Sequence, residues 1–383
     1  MMKYIFIILI FANFPTIAQD LKPLLKLDDE TITSVQNQSR LITKEFDHNE
    51  QLNFKIQIPT SFIVKSEQQL KSTFFDARLD GEIFHAYGPT VYDVRPYITV
   101  NSKDINRLIS VKNWFLSYAL ENNYTISGFE EDEKKNIDVF YVRLDSFGRS
   151  EAVRARAFAH EDRIIIIEYI SPFQMYEKEK NRQTYTIQSF GFTNDFNVLR
   201  PEAVVEYEYL ESFSFEYPQT WVLTRKSNEL TNQHVVDLKT SDVRDFLIAS
   251  VSVEVVSQRS LKDRVDRTLY QVDVIEKIKN IQNKVSEMGY SNDKILERIN
   301  HDLKYDTDIA VTEVYPLRRK KSDVFMNDKQ NPISNEFWMT IIKTPKTNEK
   351  AYILSMIAPS RDIDFYNWAV AKEAYELMVN TIR

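Results

Sequence analysis

The sequence contains no cysteine. That excludes a disulfide framework, thiol catalysis, a cysteine-rich metal site and attachment of a lipid through a cysteine. Glycine is nearly as scarce, six in 383 residues. A phosphate-cradling loop needs several glycines close together, and no such cluster exists here. Histidine occurs five times, at 48, 85, 160, 234 and 301, with no His-Glu-x-x-His pair and no Gly-x-Ser-x-Gly elbow. Positive charge is in deficit: the formal net charge is −7, and −8 once Lys3 leaves with a leader. Nucleic acid is therefore not an expected partner, because binding it requires a basic face. No catalytic residue, cofactor or metal ligand is assigned from the sequence. Long apolar runs are also missing. Tyr4–Phe14 spans eleven residues, too few to cross a bilayer, and no later stretch approaches ~18. The chain is not expected to span a membrane.

What is present begins with that short run. Lys3 precedes it, Pro15 ends it, and Thr16-Ile17-Ala18 offers a cleavage site before Gln19. These features predict a secretory signal peptide over residues 1–18, cleaved near Ala18, and a periplasmic or secreted mature protein. The short leader and the lack of cysteine suit a bacterial envelope protein. Charged residues at 27% and hydrophobic ones at 43% describe an ordinary globular chain. The 24 Phe and 20 Tyr favour sheets with large cores.

One pattern occurs twice. Phe54, Ile56 and Ile58 alternate, Pro59 ends the run and Phe62 follows; Phe213, Phe215, Tyr217, Pro218 and Trp221 repeat the arrangement 159 residues later. Each run is the second strand of a predicted hairpin, with Arg40–Phe46 and Val204–Tyr209 as the first strands. Further on, Tyr97–Val100 and Leu247–Val256 read as strands, each followed by a helix, with Ser110 capping Val111–Leu120 and Ser260 capping the second. Apolar residues at helical spacing run from Leu261 to Met288, which predicts a long helix packed on a sheet. Meanders at 137–144, 153–159 and 163–170, and at 308–315, 336–343 and 350–357, come next. Tyr169-Ile-Ser-Pro172 and Met356-Ile-Ala-Pro359 end them alike, and a final helix closes each copy. The expected organisation is α+β: two tandem domains, each a central antiparallel sheet flanked by helices. A lead-in covers 19–39, the first domain 40–192, a linker 193–202 and the second domain 203–383. The lead-in is polar and expected to be partly ordered at best.

The phrase Phe215-Glu-Tyr-Pro-Gln-Thr-Trp221, the Ile170-Ser-Pro172 and Ile357-Ala-Pro359 endings and Ser189-Phe190 resemble the PsbP-like fold. That fold is named for the extrinsic subunit of photosystem II and is shared with a small Ran-binding protein. The first copy departs from it with Ile58 and Phe62, and the second ends in Asn380-Thr-Ile. The resemblance implies a sheet flanked by helices and a largely non-enzymatic family of binding or assembly factors.

Two stretches are candidate contact sites for a protein partner in the envelope. Phe84–Tyr97 reads as an aromatic loop containing Tyr87, Tyr92 and Tyr97, with Gly88, Pro89 and Pro96 breaking regular structure. Arg318, Arg319, Lys320 and Lys321 form the one concentrated basic spot, in a loop predicted over 317–335. Glu130–Glu133 reads as a charged loop, His160-Glu161-Asp162 as a solvated hairpin tip, and Tyr305–Asp308 as a solvent-facing acidic cluster without the glycine of a calcium loop. The expected role is a non-catalytic binding or assembly module. The alternative is a hydrolase or other enzyme with a dispersed acidic site, since carboxylate pairs need no fixed spacing.

Overall fold

A computed structural model describes residues 21–46, 49–66, 81–91, 93–160, 162–194, 202–209, 213–229, 233–242, 244–257, 279–280, 283, 285–287, 290–292, 295–301, 303, 310–319, 333–343 and 350–383. The chain divides into two compact units: Met1–Ile105 with Ser110–Pro201, and Asn106–Ile109 with Glu202–Arg383. The predicted leader lies outside the described residues, as do Ser260 and the 305–308 cluster.

The first unit opens with helix α1 (Asp29–Gln36), whose first turn is capped by the Asp28 carboxylate accepting from Thr31 N at 2.8 Å. Strands β1 (Ser39–Lys44) and β2 (Phe54–Pro59) form the expected hairpin. Then come β3 (Ile63–Val64), β4 (Gly81–Tyr87), β5 (Tyr97–Asp104), α2 (Val111–Glu121), β6 (Thr125–Glu131), β7 (Ile137–Leu144), β8 (Ser150–His160), β9 (Arg163–Pro172), α3 (Tyr176–Ser189) and β10 (Gly191–Phe192). The sheet order is β3-β4-β5-β9-β8-β7-β6, with every pair antiparallel. Strand β10 joins the hairpin alongside β2.

Side chains alternate across each strand, so this sheet has two distinct faces. One carries Phe84, Ala86, Ile98, Val100, Ile165, Ile167 and Tyr169. It packs against Phe54, Ile56 and Ile58 of β2 and against Ile187 and Phe190 at the end of α3. The other is covered by α2 over β6 and β8. Beyond that cover lie His85, Tyr87 and Tyr97, which are only half-buried.

The second unit repeats this plan. Strands β11 (Val204–Tyr209) and β12 (Phe213–Pro218) form its hairpin. Its sheet comprises β13 (Val222–Glu229), β14 (Gln233–Ser241), β15 (Leu247–Ser257), β16 (Tyr290–Asn292), β17 (Glu297–His301), β18 (Ala310–Arg319), β19 (Asn335–Lys343) and β20 (Lys350–Pro359). The order is β13-β14-β15-β20-β19-β18-β16, with β17 also on β18. Helix α4 (Phe365–Thr381) packs on β12 and β20, as α3 packs on β2 and β9. Residues 279–280, 283 and 285–287 are helical, and Val285 is buried as the apolar stripe requires; the rest of that predicted helix lies outside the described residues.

Several local expectations are corrected. The lead-in is ordered from Lys22: its N–H donates to Ser127 O at 2.9 Å and Leu24 is buried. Leu24 sits over a bulge in β6 at Ile126/Gly128. A Cβ at Gly128 would lie 2.6 Å from Leu24 Cδ2 and 3.0 Å from Lys22 O. Gly128→Ala should therefore lift the lead-in, at about 1–3 kcal/mol of overpacking. Limited proteolysis within 21–28 should accelerate several-fold, and an unchanged rate would refute this contact. Glu130 and Glu131 belong to β6, not to a loop; an edge strand tolerates exposed acids. The 84–97 stretch is not one loop. Phe84, His85 and Tyr87 lie on β4 and Tyr97 starts β5, because alternation puts Phe84 and Ala86 into the core. Arg318 and Arg319 are likewise the end of β18, paired with Ser291 and Tyr290. His160 is not a solvated tip: its Nε2 is 2.7 Å from Gln51 O and its ring stacks on Phe192 at 4.1 Å.

Candidate functional site

The second face of the first sheet holds a buried acid, Glu168, directly after a run of four isoleucines. Strand β9 is buried along its whole length, and Glu168 is 3% exposed. A buried carboxylate is stable only if hydrogen-bonded. Glu168 receives the Tyr141 hydroxyl at one oxygen and the Thr99 hydroxyl, at 3.4 Å, at the other. Thr99 and Ala155 flank it in register, so β5, β8 and β9 fix its position. Burial, reinforced by the Glu168 charge, pushes the Tyr141 pKa well up, so Tyr141 remains a donor.

Arg143 lies between this buried acid and solvent. Its Nε donates to Glu151 Oε2 at 2.9 Å and its Nη2 to the Tyr97 hydroxyl at 2.6 Å. Burial alone would lower the Arg143 pKa, but the Glu168 carboxylate and its other partners hold it above the ordinary value. Burial raises Tyr97 to about 12. The Tyr97 ring stacks on His85 at 5.6 Å, and His85 Nδ1 is 2.9 Å from Glu82 Oε2. Strands β4, β5, β7, β8 and β9 thus carry a polar network of separate hydrogen-bonded groups, Glu168 with Tyr141 and Thr99, Arg143 with Glu151 and Tyr97, and His85 with Glu82, the first two coupled by the attraction of Arg143 to Glu168.

The network ends at an open cleft of about 400 Å³. It is lined by His85, Tyr97, Glu151 and Pro172 from the strands, by Asp93, Val94 and Arg95 before β5, and by Asp145, Arg149 and Ser150 around the β7–β8 turn. The guanidinium of Arg95 lies over Tyr87 at 4.3 Å. Arg149 donates from Nε to Asp145 at 2.7 Å and lies over Phe147 at 5.0 Å. Desolvation pushes the Asp145 carboxyl up, but the backbone N–H groups of Arg149 and Phe147 and the Arg149 side chain together hold it below the usual carboxylate range. Exposed apolar residues stand at the same sheet end: Leu144 at 66%, Phe147 at 79% and Phe173 at 53%. A larger depression of about 670 Å³ lies over β1 and β3, but its Arg40 guanidinium is tied to Phe62 O at 2.8 Å and no carboxylate or histidine lines it.

The second unit does not reproduce this chemistry. Aligning the strand ends at Pro172 and Pro359 and following the register gives the correspondence. Glu168 corresponds to Ser355, Thr99 to Ser252, Tyr97 to Ser250, Arg143 to Leu317 and Glu151 to Asn335, while Tyr141 is matched by Tyr315. There Leu317, Phe337 and Met339 pack with Val285 into an apolar cluster, with Tyr315 and Ile357 against it.

Of the residues singled out in the sequence, Tyr97 lines the cleft and Tyr87 supports Arg95. Tyr92 lies outside the described residues, as do Lys320, Lys321 and the Arg319 side chain. Arg318 is half-buried in β18 and is not part of the cleft. Sequence reasoning missed Arg95, Arg143, Arg149, Glu151 and Glu168. One signal was available, the single acid inside Arg163-Ile-Ile-Ile-Ile-Glu-Tyr169. Trp221 is buried, as a core anchor should be. Among the described residues no group of three or more His, Asp and Glu is placed to hold a metal, and no helix is long and apolar enough to cross a membrane.

No family model matches the chain, and no curated protein matches it. Solved structures similar to it include cyanobacterial PsbP (CyanoP) from Synechocystis sp. PCC 6803, at 13% identity, covering 50% of this chain and 99% of that one with a TM-score of 0.30. The Ran-binding protein Mog1p of Saccharomyces cerevisiae is 10% identical, covering 41% of this chain and 97% of its own with a TM-score of 0.28. A protein from Bacteroides thetaiotaomicron is 10% identical, over 45% of this chain and 55% of its own, with a TM-score of 0.25. The first two are the kinds of protein that the PsbP-like resemblance names. The class defined by the strand order itself is a tandem α+β protein, each unit a hairpin, an antiparallel sheet of seven strands in the first and eight in the second, and a closing helix.

Proposed function

We propose that this protein is an exported, non-catalytic binding module that engages a protein partner at the open end of the first unit's sheet. The observation that carries this reading is the cleft together with the exposed apolar residues at the same sheet end. Leu144, Phe147 and Phe173 are exposed there, outside the cleft's own lining, and two arginines at the cleft lie on aromatic rings. Clustered exposed apolar residues mark interaction sites, and interfaces are enriched in aromatics and arginine. The acids of the wall are already engaged, Glu151 by Arg143 and Asp145 by Arg149. They form a fixed charge pattern and not a free acid–base pair. A hydrolase working through a dispersed acidic site would need a carboxylate pair free to exchange protons; of the acids lining the cleft, only Asp93 has no partner among the described residues.

Export rests on Lys3, the apolar run to Phe14 and the small residues before Gln19. Mass spectrometry of the protein from a bacterial host should find Gln19 as the mature N-terminus. A photo-crosslinking amino acid at position 147 tests the site. It should give a discrete protein adduct in the compartment where the chain resides, while the same probe at Phe246 of the second unit, which is also exposed, should give none. Adducts at 246 alone would place the contact in the wrong unit.

A further inference from the structure

The docking reading above leaves the partner's chemistry open, and the cleft narrows it. We infer that the first unit binds an extended segment of a partner protein in which an aspartate or glutamate side chain lies within about three residues of a large apolar side chain. The inference rests on that docking site and adds what fills it.

Charge complementarity is the first support. Glu151 and Asp145 are neutralised by Arg143 and Arg149 at 2.9 and 2.7 Å. Arg95 is exposed and makes no ion pair among the described residues. Its guanidinium is oriented by the Tyr87 face, so less freedom is lost when its fork meets a carboxylate. Arg149 uses Nε for Asp145, which leaves its terminal nitrogens to reinforce the same contact. Asp93 precedes Arg95 in a tight turn closed by Val91 and Val94, with φ +61°, the left-handed conformation that aspartate tolerates. That turn therefore presents one anion and one cation two residues apart, which suits a segment carrying spaced charges more than a uniformly charged surface.

The sheet end supplies the second support. Leu144, Phe147 and Phe173 stand at the same end of the sheet but outside the cleft's lining; they cost solvation while exposed, and an apolar side chain a few residues along the partner segment from its acid would cover them. A membrane fits less well. Anionic bilayers are recognised by clusters of about four to eight basic residues, whereas this cleft is lined by two arginines, one of them two residues from Asp93.

The test is selection of random twelve-residue peptides displayed on phage, with the full mature chain as bait. Enriched peptides should carry Asp or Glu within three residues of Phe, Leu, Trp or Met. Synthesised with blocked ends, they should lose at least tenfold in affinity on the Leu144→Ser/Phe147→Ser chain and on Arg95→Glu. Replacing the peptide's acid with lysine should restore binding to Arg95→Glu. All substituted residues are exposed, so the variants should fold; circular dichroism confirms this. No enrichment, enrichment of peptides without an acid, or flotation with phosphatidylglycerol vesicles that depends on Phe147 would overturn the inference. Crosslinks from position 147 without an acid preference would remove the chemistry and leave the docking site. Acid-bearing peptides indifferent to both variants would remove the site itself.

Discussion

Arg361→Ala should destabilise the second unit by about 3–5 kcal/mol, the usual consequence of stripping one partner from a buried ion pair. Glu336 on β19 is 1% exposed. Its carboxylate accepts from Arg361 Nε at 2.9 Å, Trp338 Nε1 at 3.1 Å and Trp368 Nε1 at 2.9 Å. The Arg361 guanidinium also bridges to Glu297 at 2.8 Å and lies 4.7 Å over Trp368. Without it only the two indoles and the backbone N–H of residue 361, at 3.4 Å, face a buried acid. The double variant Arg361→Met/Glu336→Leu should recover most of the loss, because replacing both partners leaves no orphaned charge. Urea unfolding monitored by tryptophan fluorescence reads both changes. A loss below about 1 kcal/mol for the single variant would show that water or a neighbour already compensates Glu336.

Phe54→Ala should cost the first unit a similar amount, about 3–5 kcal/mol. Phe54 is fully buried on β2, with Phe190 at 5.1 Å and Phe84 edge-on at 5.8 Å. It joins the hairpin, the sheet and the end of α3 in one cluster. A cavity there cannot collapse without moving all three. The expected result is a lower denaturation midpoint with an unchanged denaturant slope, and equal stability with wild type would contradict the packing.

The repeated Phe–x–Ile–x–Ile–Pro and Phe–x–Phe–x–Tyr–Pro phrases made both hairpins legible. Alternation shows a half-buried strand directly and proline marks its end. The α+β class and the central strands β8, β9, β19 and β20 were legible for the same reason. Strand β6 was not. It is an edge, its last residues are acids, and Gly128 interrupts its register with a bulge. Strand β4 was hidden by the breakers that follow it, Gly88 and Pro89, which made the whole 84–97 stretch look irregular.

The site was harder still. Tyr97, Arg143, Glu151 and Glu168 are dispersed in the chain, and only the pairing of β5 with β9, β9 with β8 and β8 with β7 brings them together. No local spacing encodes that. The duplication, read in reverse, helps. Positions where the units differ in register, Arg143 against Leu317 and Glu168 against Ser355, separate a polar face from an apolar one. The basic stretch at 318–321 drew notice because it is concentrated, yet Arg318 lies within a strand.

The central claim is that contact chemistry belongs to the first unit's sheet end. The most direct measurement compares two surface variants of the full chain for retention of the partner crosslinked at position 147. Leu144→Ser/Phe147→Ser should abolish retention, and Phe246→Ser/Leu247→Ser, also exposed apolar residues but of the second unit, should leave it at the wild-type level. Retention lost only in the second variant, or in neither, would contradict the account.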